Sequence, residues 1–403
     1  MLHDKEKKYI VVGSGAGRGP LAARLALTGH KILLLEAGND QGHNSITVSP
    51  ATHRKLPKIQ LPSMKLYVRH YTDITFACCT AHNVLVAIYP YRSDFDYIAE
   101  LTGDSSWRAE NMRKYFMRLE RNRYMLTRKR VHGYNAWLGI ETQPLRHVLQ
   151  DTQLLSLVLG GAFALDNETD HLTNIASLVT GAANVGYEAR YKTPAYYSLP
   201  FSVNDAKRNG AWEFLVSVRD AVNENGSEKY PLEVRMNCFV TKVMFDTSAN
   251  QPRATGVEFL DGRYFYKASP LSGQGPAGEL KKHGIKVVVD LPGVGRKLQD
   301  QYEAMVQVHT LKELSSLKGC TFGFHGLRDP CLERWMKSVL GDRGIYGASG
   351  GATVIFYKST ATTCNEIDIN MFEVIGNFRG YYPGHAYNTT ARYDWLTSTS
   401  FRL

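Results

Sequence analysis

The order of apolar runs and turn residues at the start of the chain predicts a strand, a glycine turn, a helix and a second strand. The first apolar run is Tyr9–Val12 (YIVV), and a helix-like stretch covers Leu21–Thr28 after a glycine-rich turn. Gly29 is the residue type that ends such a helix, and Lys31–Leu35 (KILLL) is a second apolar run typical of a buried strand. The pattern predicts the beginning of a parallel α/β layer.

Two later segments have equally clear periodicity. Ser106–Arg123 carries apolar residues at helical spacing, which predicts an amphipathic helix that serves as scaffold; they are Met112, Tyr115, Phe116 and Leu119. Leu232–Phe245 (LEVRMNCFVTKVMF) alternates in the manner of strands.

The turn between the first strand and helix has the composition of a dinucleotide-binding loop. Gly13 allows a tight turn, and Gly15, with Ser14 and Ala16 beside it, lets the backbone approach a pyrophosphate at the helix N-terminus. Glu36 ends the second apolar run, where an acidic side chain accepts hydrogen bonds from the adenosine ribose. The alternative is a glycine turn that only joins a strand to a helix. Arg18 occupies the third glycine position of the G-x-G-x-x-G pattern, where close helix–strand packing normally excludes a side chain.

The length and net charge of the chain restrict the number of domains and the kinds of partner that we expect. With 403 residues the chain is long enough for two domains, because single cores seldom grow beyond roughly 250 to 300 residues. A net charge of +10, from 48 basic and 38 acidic residues, would speed the capture of an anionic ligand. The basic clusters at Arg118–Arg123 and Arg128–Arg130 lack a zinc, helix-turn-helix or RNA-binding signature. We interpret them as solvated faces and expect neither nucleic acid nor a metal as a partner.

The location of the chain is predicted only by default. No apolar run approaches the roughly 20 residues of a membrane span, and the polar segment Met1–Lys8 leads into the first strand without a cleavable targeting signal. The six cysteines lack CxxC spacing, which favours reduced thiols; they are Cys78, Cys79, Cys238, Cys320, Cys331 and Cys364. We therefore expect a cytoplasmic protein.

Three segments carry motifs that are specific when taken together. They are the opening GSGAGRGPLAARLALTGHKILLLEAG, the sequence CTAHN at Cys79–Asn83, and LSGQGP at Leu271–Pro276 with DLPGVGRKLQD at Asp290–Asp300. In combination they resemble the glucose-methanol-choline (GMC) oxidoreductase family, especially its choline-dehydrogenase-like fungal members. The resemblance implies FAD as cofactor, a Rossmann-like α/β FAD-binding domain at 1–130 and 180–310, and an α+β substrate-binding domain at 131–179 and 311–403.

The CTAHN segment is similar to the family's flavin-contacting segment, GG-[CS]-[ST]-x-x-N. Thr80, His82 and Asn83 offer a hydroxyl, an imidazole and an amide that could hydrogen-bond the polar edge of the flavin ring. In relatives with this histidine the ring can be joined to it covalently, which implies the same possibility for His82. Because Ala77 and Cys78 replace the two leading glycines, a hydrogen-bonded His82 without a covalent bond is favoured.

The resemblance also implies an adenine contact and a reaction. The backbone at Val240 corresponds to the adenine-contacting strand, although an ordinary sheet strand would have the same sequence. Family members pass a hydride from a small-molecule alcohol to the flavin, with a histidine-containing pair as base, and then reduce an electron acceptor that the sequence leaves unspecified. His309, His325 and His385 lie in no motif, so no catalytic residue is assigned.

The departures from the family pattern leave alternatives open. They are Arg18, the missing strand within Gly256–Pro270, and an end at Leu403 ahead of the catalytic segment. One alternative is a flavin-binding remnant without catalysis. Another is an incomplete gene model whose sequence continues into the histidine-bearing segments. An NAD-dependent enzyme is the third, which CTAHN and LSGQGP disfavour.

Overall fold

The computed structural model describes residues 9–40, 42, 78–81, 83–125, 127–165, 171–180, 194–262, 274–297, 303–321, 328–337, 343–348, 350–363, 365–379 and 395–402. The helices in this part of the chain are α1 Arg18–Leu27, α2 Arg92–Thr102, α3 Ala109–Leu119, α4 Arg146–Leu149, α5 Thr152–Ala164, α6 His171–Thr180, α7 Ala211–Arg219, α8 Ala277–Lys282 and α9 Pro330–Lys337. The strands are β1 Tyr9–Val12, β2 Ile32–Leu35, β3 Glu120–Asn122, β4 Leu138–Thr142, β5 Ala195–Ser198, β6 Pro200–Asn204, β7 Lys207–Arg208, β8 Leu232–Arg235, β9 Cys238–Asp246, β10 Arg253–Asp261, β11 Gln274–Gly275, β12 Val289–Asp290, β13 Glu303–His309, β14 Gly351–Tyr357, β15 Ile369–Ile375 and β16 Trp395–Arg402.

A parallel layer forms around the second apolar run. β2 pairs in parallel with β1 on one side and with β8 on the other, and all four residues of β2 are buried. Helices α1 and α7 pack against this layer; the alanines of α1 present little bulk, so the helix lies close to the sheet. The cluster they form consists of Val11, Ala22, Ala23, Ala26, Ile32, Leu34, Leu215, Val218 and Leu232. The parallel pairing agrees with the strand, helix and strand predicted from the sequence.

The alternating segment at Leu232–Phe245 divides into two strands with different partners. β8 belongs to the parallel layer, whereas β9 pairs antiparallel with β10. The chain changes direction at Asn237, whose φ of +58° is a left-handed conformation that asparagine tolerates better than most residues. The single alternating pattern of Leu232–Phe245 therefore contributes strands to two different sheets.

A second, antiparallel region lies beyond the parallel layer. A five-stranded sheet has the order β13-β16-β15-β14-β5, and a smaller sheet has the order β3-β4-β6-β7. The α/β class with an α+β part is thus confirmed. β5 and β13 lie in segments assigned to the FAD-binding domain, and they pair with β14 and β16 of the five-stranded sheet; the domain bounds stay a prediction. Sheet membership depends on pairing between distant segments, which motif positions do not reveal.

The helix predicted over Ser106–Arg123 is shorter in the structure. It spans α3 only, and Glu120 leaves it with an extended backbone, φ −77° and ψ 135°. Glu120 is the first residue after the helix, and its carboxylate is buried beside His132.

The expectation of reduced cysteines is wrong for one pair. Cys320 and Cys331 form a disulfide with their Cα atoms 5.1 Å apart, within the range that the bond requires. The bond joins the segment after β13 to the start of α9, a proximity that the scattered spacing does not indicate. Cys238 is free and buried. None of the described helices has the length and apolar character needed to cross a lipid bilayer.

Candidate cofactor-binding site

The glycine turn follows β1 directly and delivers the chain to the N-terminus of α1. Gly13 has a φ of +86°, which glycine adopts without strain, and its N–H donates to the carbonyl oxygen of Leu35 at 2.7 Å. Helix α1 begins at Arg18, three residues earlier than predicted. Within the first turn of α1, Pro20 has no N–H, and the N–H groups of Gly19 and Leu21 donate to the carbonyl oxygens of Gly15 and Gly17. What this end offers an anion is the positive end of the helix dipole.

Glu36 lies at the carboxyl end of β2, beside the turn, and is only 5% exposed. Its Oε2 accepts hydrogen bonds from the backbone N–H of Ser14 at 2.7 Å and from the Ser14 hydroxyl at 2.5 Å. Its Oε1 accepts one from the N–H of Gly38 at 2.8 Å. A carboxylate can accept about four hydrogen bonds, so one position remains for a ligand hydroxyl. The Ser14 hydroxyl itself is directed at Glu36.

A close contact that excludes a side chain occurs one residue after Arg18, at Gly19, where α1 meets the glycine turn and α7. A Cβ atom added to Gly19 would lie 2.5 Å from the carbonyl oxygen of Ser14 and 2.8 Å from Cδ1 of Leu215, so only glycine fits. Arg18 is exposed, and its guanidinium carbon lies 3.1 Å from the place that a Cβ of Gly13 would occupy. The side chain that breaks the sequence pattern therefore lies outside this close contact.

A cleft of about 440 Å³ opens at the same end of α1. Its walls include the first turns of α1, the short turn that contains Thr80 and the start of α7, together with residues from the end of α3 and from β4 and β6. Its lining comprises Ala16, Gly17, Pro20, Leu21, Arg24, Thr80, Asn83, Leu119, Trp137, Leu138, Ser202, Asn209, Gly210 and Ala211. The structure thus brings Ala16, Thr80 and Asn83 together, as one ligand-binding surface requires.

Five of the other predicted residues do not line the cleft; they are Gly13, Ser14, Gly15, Glu36 and Val240. Glu36 is at the other end of the glycine turn. Val240 lies on β9 and packs, partly buried, in a cluster with Leu33, Leu35 and Cys238, and the N–H of Cys238 donates to the carbonyl oxygen of Glu36 at 2.8 Å. His82 is outside the described residues.

The sequence reading missed the residues that hold the cleft wall. Arg208, 4% exposed, donates from Nη1 to Oδ1 of Asn83 at 2.9 Å and to the carbonyl oxygen of Thr80 at 3.2 Å. Gly210 allows Thr80 to come close, since an added Cβ would lie 3.2 Å from the Thr80 Cβ. A helix start was detectable here from Glu213 three residues after Gly210.

Glu213 completes that helix start. Its Oε2 accepts the Gly210 N–H at 2.6 Å. Burial raises the pKa of Glu213, while hydrogen bonds and the nearby positive charge of Arg208 oppose the shift. The wall therefore contains a buried arginine close to a buried carboxyl group.

A second buried polar cluster lies at the junction of β3 and β4. Nδ1 of His132 lies 3.0 Å from Oε1 of Glu120, and Oε2 accepts the N–H of Gly133 at 2.9 Å. Burial favours the neutral carboxyl, but hydrogen bonds from His132, Tyr89 and Gly133 outweigh it and hold the pKa of Glu120 below its usual value. These residues do not line the cleft, so the cluster serves the fold of this region.

Of the histidines to which the sequence assigns no role, the one that the structure describes, His309, does not line the cleft. His309 lies exposed on β13. His325 and His385 are outside the described residues.

Comparisons with known proteins point to one family. No protein-family model matches the chain. The choline oxidase of Arthrobacter globiformis is 26% identical over 346 residues, covering 76% of this chain and 56% of the relative. A GMC-type oxidoreductase of Aspergillus aculeatus is 25% identical over 327 residues, covering 74% of this chain and 53% of the relative. Among solved structures, the formate oxidase of Aspergillus oryzae, studied for its FAD modification, gives a TM-score of 0.68 at 14% identity and covers 98% of this chain and 72% of its own.

The parallel layer, the glycine turn and the acid at the end of β2 define a Rossmann-like dinucleotide-binding fold. Together with the relatives, they support the resemblance to the glucose-methanol-choline oxidoreductase family that the motifs predicted. FAD, the cofactor expected from the resemblance, is confirmed as the cofactor of that family. The chain spans about half the length of the curated relatives that it matches.

Proposed function

We propose that this chain binds FAD and forms part of an oxidoreductase that acts on the CH–OH group of a small alcohol. The observation that supports the proposal is the shared position of Ala16 and Gly17. Both belong to the glycine turn, which begins beside Glu36, and both line the cleft that Thr80 and Asn83 complete. The part of the site proposed for the adenosine and the part proposed for the flavin ring thus meet at the N-terminus of α1.

The residues present fit the three parts of an FAD molecule. Among the described residues Glu36 keeps one acceptor position for a ribose hydroxyl, and the positive end of the α1 dipole would face the pyrophosphate. The cleft, at about 440 Å³, is in the size range of cofactor pockets. Its lining combines the apolar area of Trp137, Leu119 and Leu138 with the polar groups of Thr80 and Asn83, a mixture suited to a heteroaromatic ring.

The chemistry divides between cofactor and chain. When bound, a flavin ring supplies the acceptor for the hydride that leaves the carbinol carbon. Glu36 and the glycine turn hold the adenosine and pyrophosphate, while Thr80 and Asn83 orient the ring by hydrogen bonding. A covalent bond through His82 stays a prediction, as does the adenine contact at Val240.

We also propose a division of labour between the sheets. The layer of β1, β2 and β8 with α1 and α7 would carry the cofactor. The five-stranded antiparallel sheet would carry the substrate side, as the second domain predicted from the sequence.

The experiment is a titration of the purified chain with FAD, followed by flavin fluorescence, with FMN and NAD⁺ as comparison ligands. A site with both an adenosine end and a ring end predicts tighter binding of FAD than of either comparison ligand. Under anaerobic conditions, choline and benzyl alcohol should then bleach the visible band of the bound flavin. Tighter binding of NAD⁺ than of FAD would refute the proposal. FAD binding without bleaching by any alcohol would refute the oxidation of alcohols and show a protein that only binds FAD.

Two matched variants locate the site. Ala16→Asp places a negative charge at the exposed turn where the pyrophosphate would lie, whereas Thr28→Asp adds the same charge at the opposite, exposed end of α1. Charge repulsion should weaken FAD binding by about tenfold or more in Ala16→Asp and leave it unchanged in Thr28→Asp. An acidic residue near a helix N-terminus stabilises the helix, so the loss would not reflect unfolding. Equal FAD affinities of the two variants would contradict this placement.

A further inference from the structure

Arg208 is a buried cation. Its hydrogen bonds to Thr80 and Asn83 connect it to one wall of the cleft. It lies on β7, which pairs with β6 through Val203 and Arg208. The neighbouring Asn209 accepts the Gly139 N–H at 2.5 Å through its side chain and donates its own N–H to Ser202 at 3.1 Å. Arg208 therefore extends from a well-anchored strand end.

The contact with Asn83 fixes which way the amide of that residue faces. A guanidinium has donors and no acceptor, so the atom of Asn83 that meets Arg208 at 2.9 Å must be the carbonyl oxygen Oδ1. The Nδ2 group then points away from Arg208. Asn83 lines the cleft, and no described residue accepts a hydrogen bond from its Nδ2.

We infer that Arg208 is a positioning residue that makes Asn83 a hydrogen-bond donor to the cofactor ring, so that the ring atom facing Asn83 must be an acceptor, such as a ring carbonyl oxygen or an unprotonated ring nitrogen. The same guanidinium holds the carbonyl oxygen of Thr80 at 3.2 Å and keeps it from turning toward the ligand. A donor in this place stabilises negative charge on the ring. The inference rests on the proposed binding of FAD.

Asn83→Asp tests the inference with little change in shape. Aspartate keeps an acceptor for Arg208 but has no N–H group for the ligand, so an acceptor on the ring would lose a hydrogen bond and meet a negative charge. We expect FAD to bind about tenfold more weakly, and the visible band of the flavin to shift, while the urea midpoint of the free protein stays at the wild-type value.

Variants at Arg208 test its positioning role. Arg208→Met should weaken FAD binding, and Arg208→Lys, which retains a donor and a charge, should recover part of the affinity. Lys207→Met is the matched control because Lys207 is exposed on the same short strand; it should bind FAD as the wild type does. If Arg208→Met does not fold, Asn83→Asp still decides the question.

The outcomes separate the two proposals. A wild-type chain that binds no FAD would overturn the proposed function and this inference with it. A wild-type chain that binds FAD, with equal or tighter binding by Asn83→Asp and an unshifted band, would overturn the inference alone, because the ring atom would then be a donor or would not meet Asn83.

Discussion

Replacing Gly19 by alanine adds one methyl group at the closest contact between α1 and the glycine turn. The new carbon would lie 2.5 Å from the carbonyl oxygen of Ser14 and 2.8 Å from Cδ1 of Leu215. The leucine methyl can rotate away, but the Ser14 carbonyl is backbone, and real Cβ contacts stay beyond 3.0 Å. The helix or the turn must therefore move by about half an ångström or more. Overpacking of this kind costs about 1 to 3 kcal/mol of stability.

The same movement should reach the cofactor site. Ser14 supplies two of the three hydrogen bonds that hold the Glu36 carboxylate, so a displaced turn misplaces the acceptor for the ribose. Gly19→Ala is expected to lower both the urea midpoint and the affinity for FAD. The measurements are urea unfolding followed by tryptophan fluorescence, and FAD titration in the absence of urea.

Gly17→Ala is the matched control, two residues earlier in the same turn. A Cβ added there meets nothing within 4 Å, and the backbone, φ −92° and ψ −50°, already suits alanine. Its stability should equal that of the wild type or exceed it by about 0.4 to 1 kcal/mol, because alanine restricts the unfolded chain. If Gly19→Ala unfolds at the same urea concentration as Gly17→Ala and binds FAD equally well, the contact is not tight and the reasoning fails.

Three further predictions concern buried groups. Glu36→Gln keeps the shape but loses the charge that three donors share, so FAD affinity should fall by about tenfold or more; unchanged affinity would exclude Glu36 from the site. Glu120 has a lowered pKa beside His132, so its contribution to stability is present above its unfolded-state pKa and is lost as the pH falls through the lower folded-state value. Unfolding midpoints measured across acidic pH should show this loss in the wild type and not in Glu120→Gln, and parallel profiles would contradict it. Cys320→Ser with Cys331→Ser opens a loop with a sequence separation of 11 and should cost about 3 kcal/mol; a reductant should lower the midpoint of the wild type but not of the double variant, and equal midpoints would refute the bond.

The sequence predicts the first layer well because its signals are local. Tyr9–Val12 and Ile32–Leu35 are short apolar runs, Gly13 follows the first of them directly, and Gly29 marks the end of the helix between them. Glu36 is found by its place after the second run. These features depend on neighbours a few residues away, which a reader of the sequence can see.

The rest depends on contacts between distant segments. The residues of Leu232–Arg235 do not indicate that this strand pairs with β2, or that the next strand, β9, pairs with β10 instead. Arg208 has no motif, since its role depends on a carbonyl and an amide more than 120 positions earlier. The close contact at Gly19 instead of Arg18 could not be predicted for another reason. It depends on which residue of the first helical turn faces Ser14 and Leu215, and a motif fixes the spacing of residues but not the rotation of the helix.

The arrangement of β2 between β1 and β8 has a consequence for biosynthesis. β2 has a partner strand on each edge. β1 is synthesised shortly before β2, whereas β8 is synthesised much later. At roughly 5 to 20 residues per second, the roughly 200 residues from Leu35 to Leu232 take about 10 to 40 seconds to emerge from the ribosome. During that time the apolar sequence ILLL has an open edge, which invites pairing with other chains. The growing chain is thus expected to need a chaperone until β8 arrives.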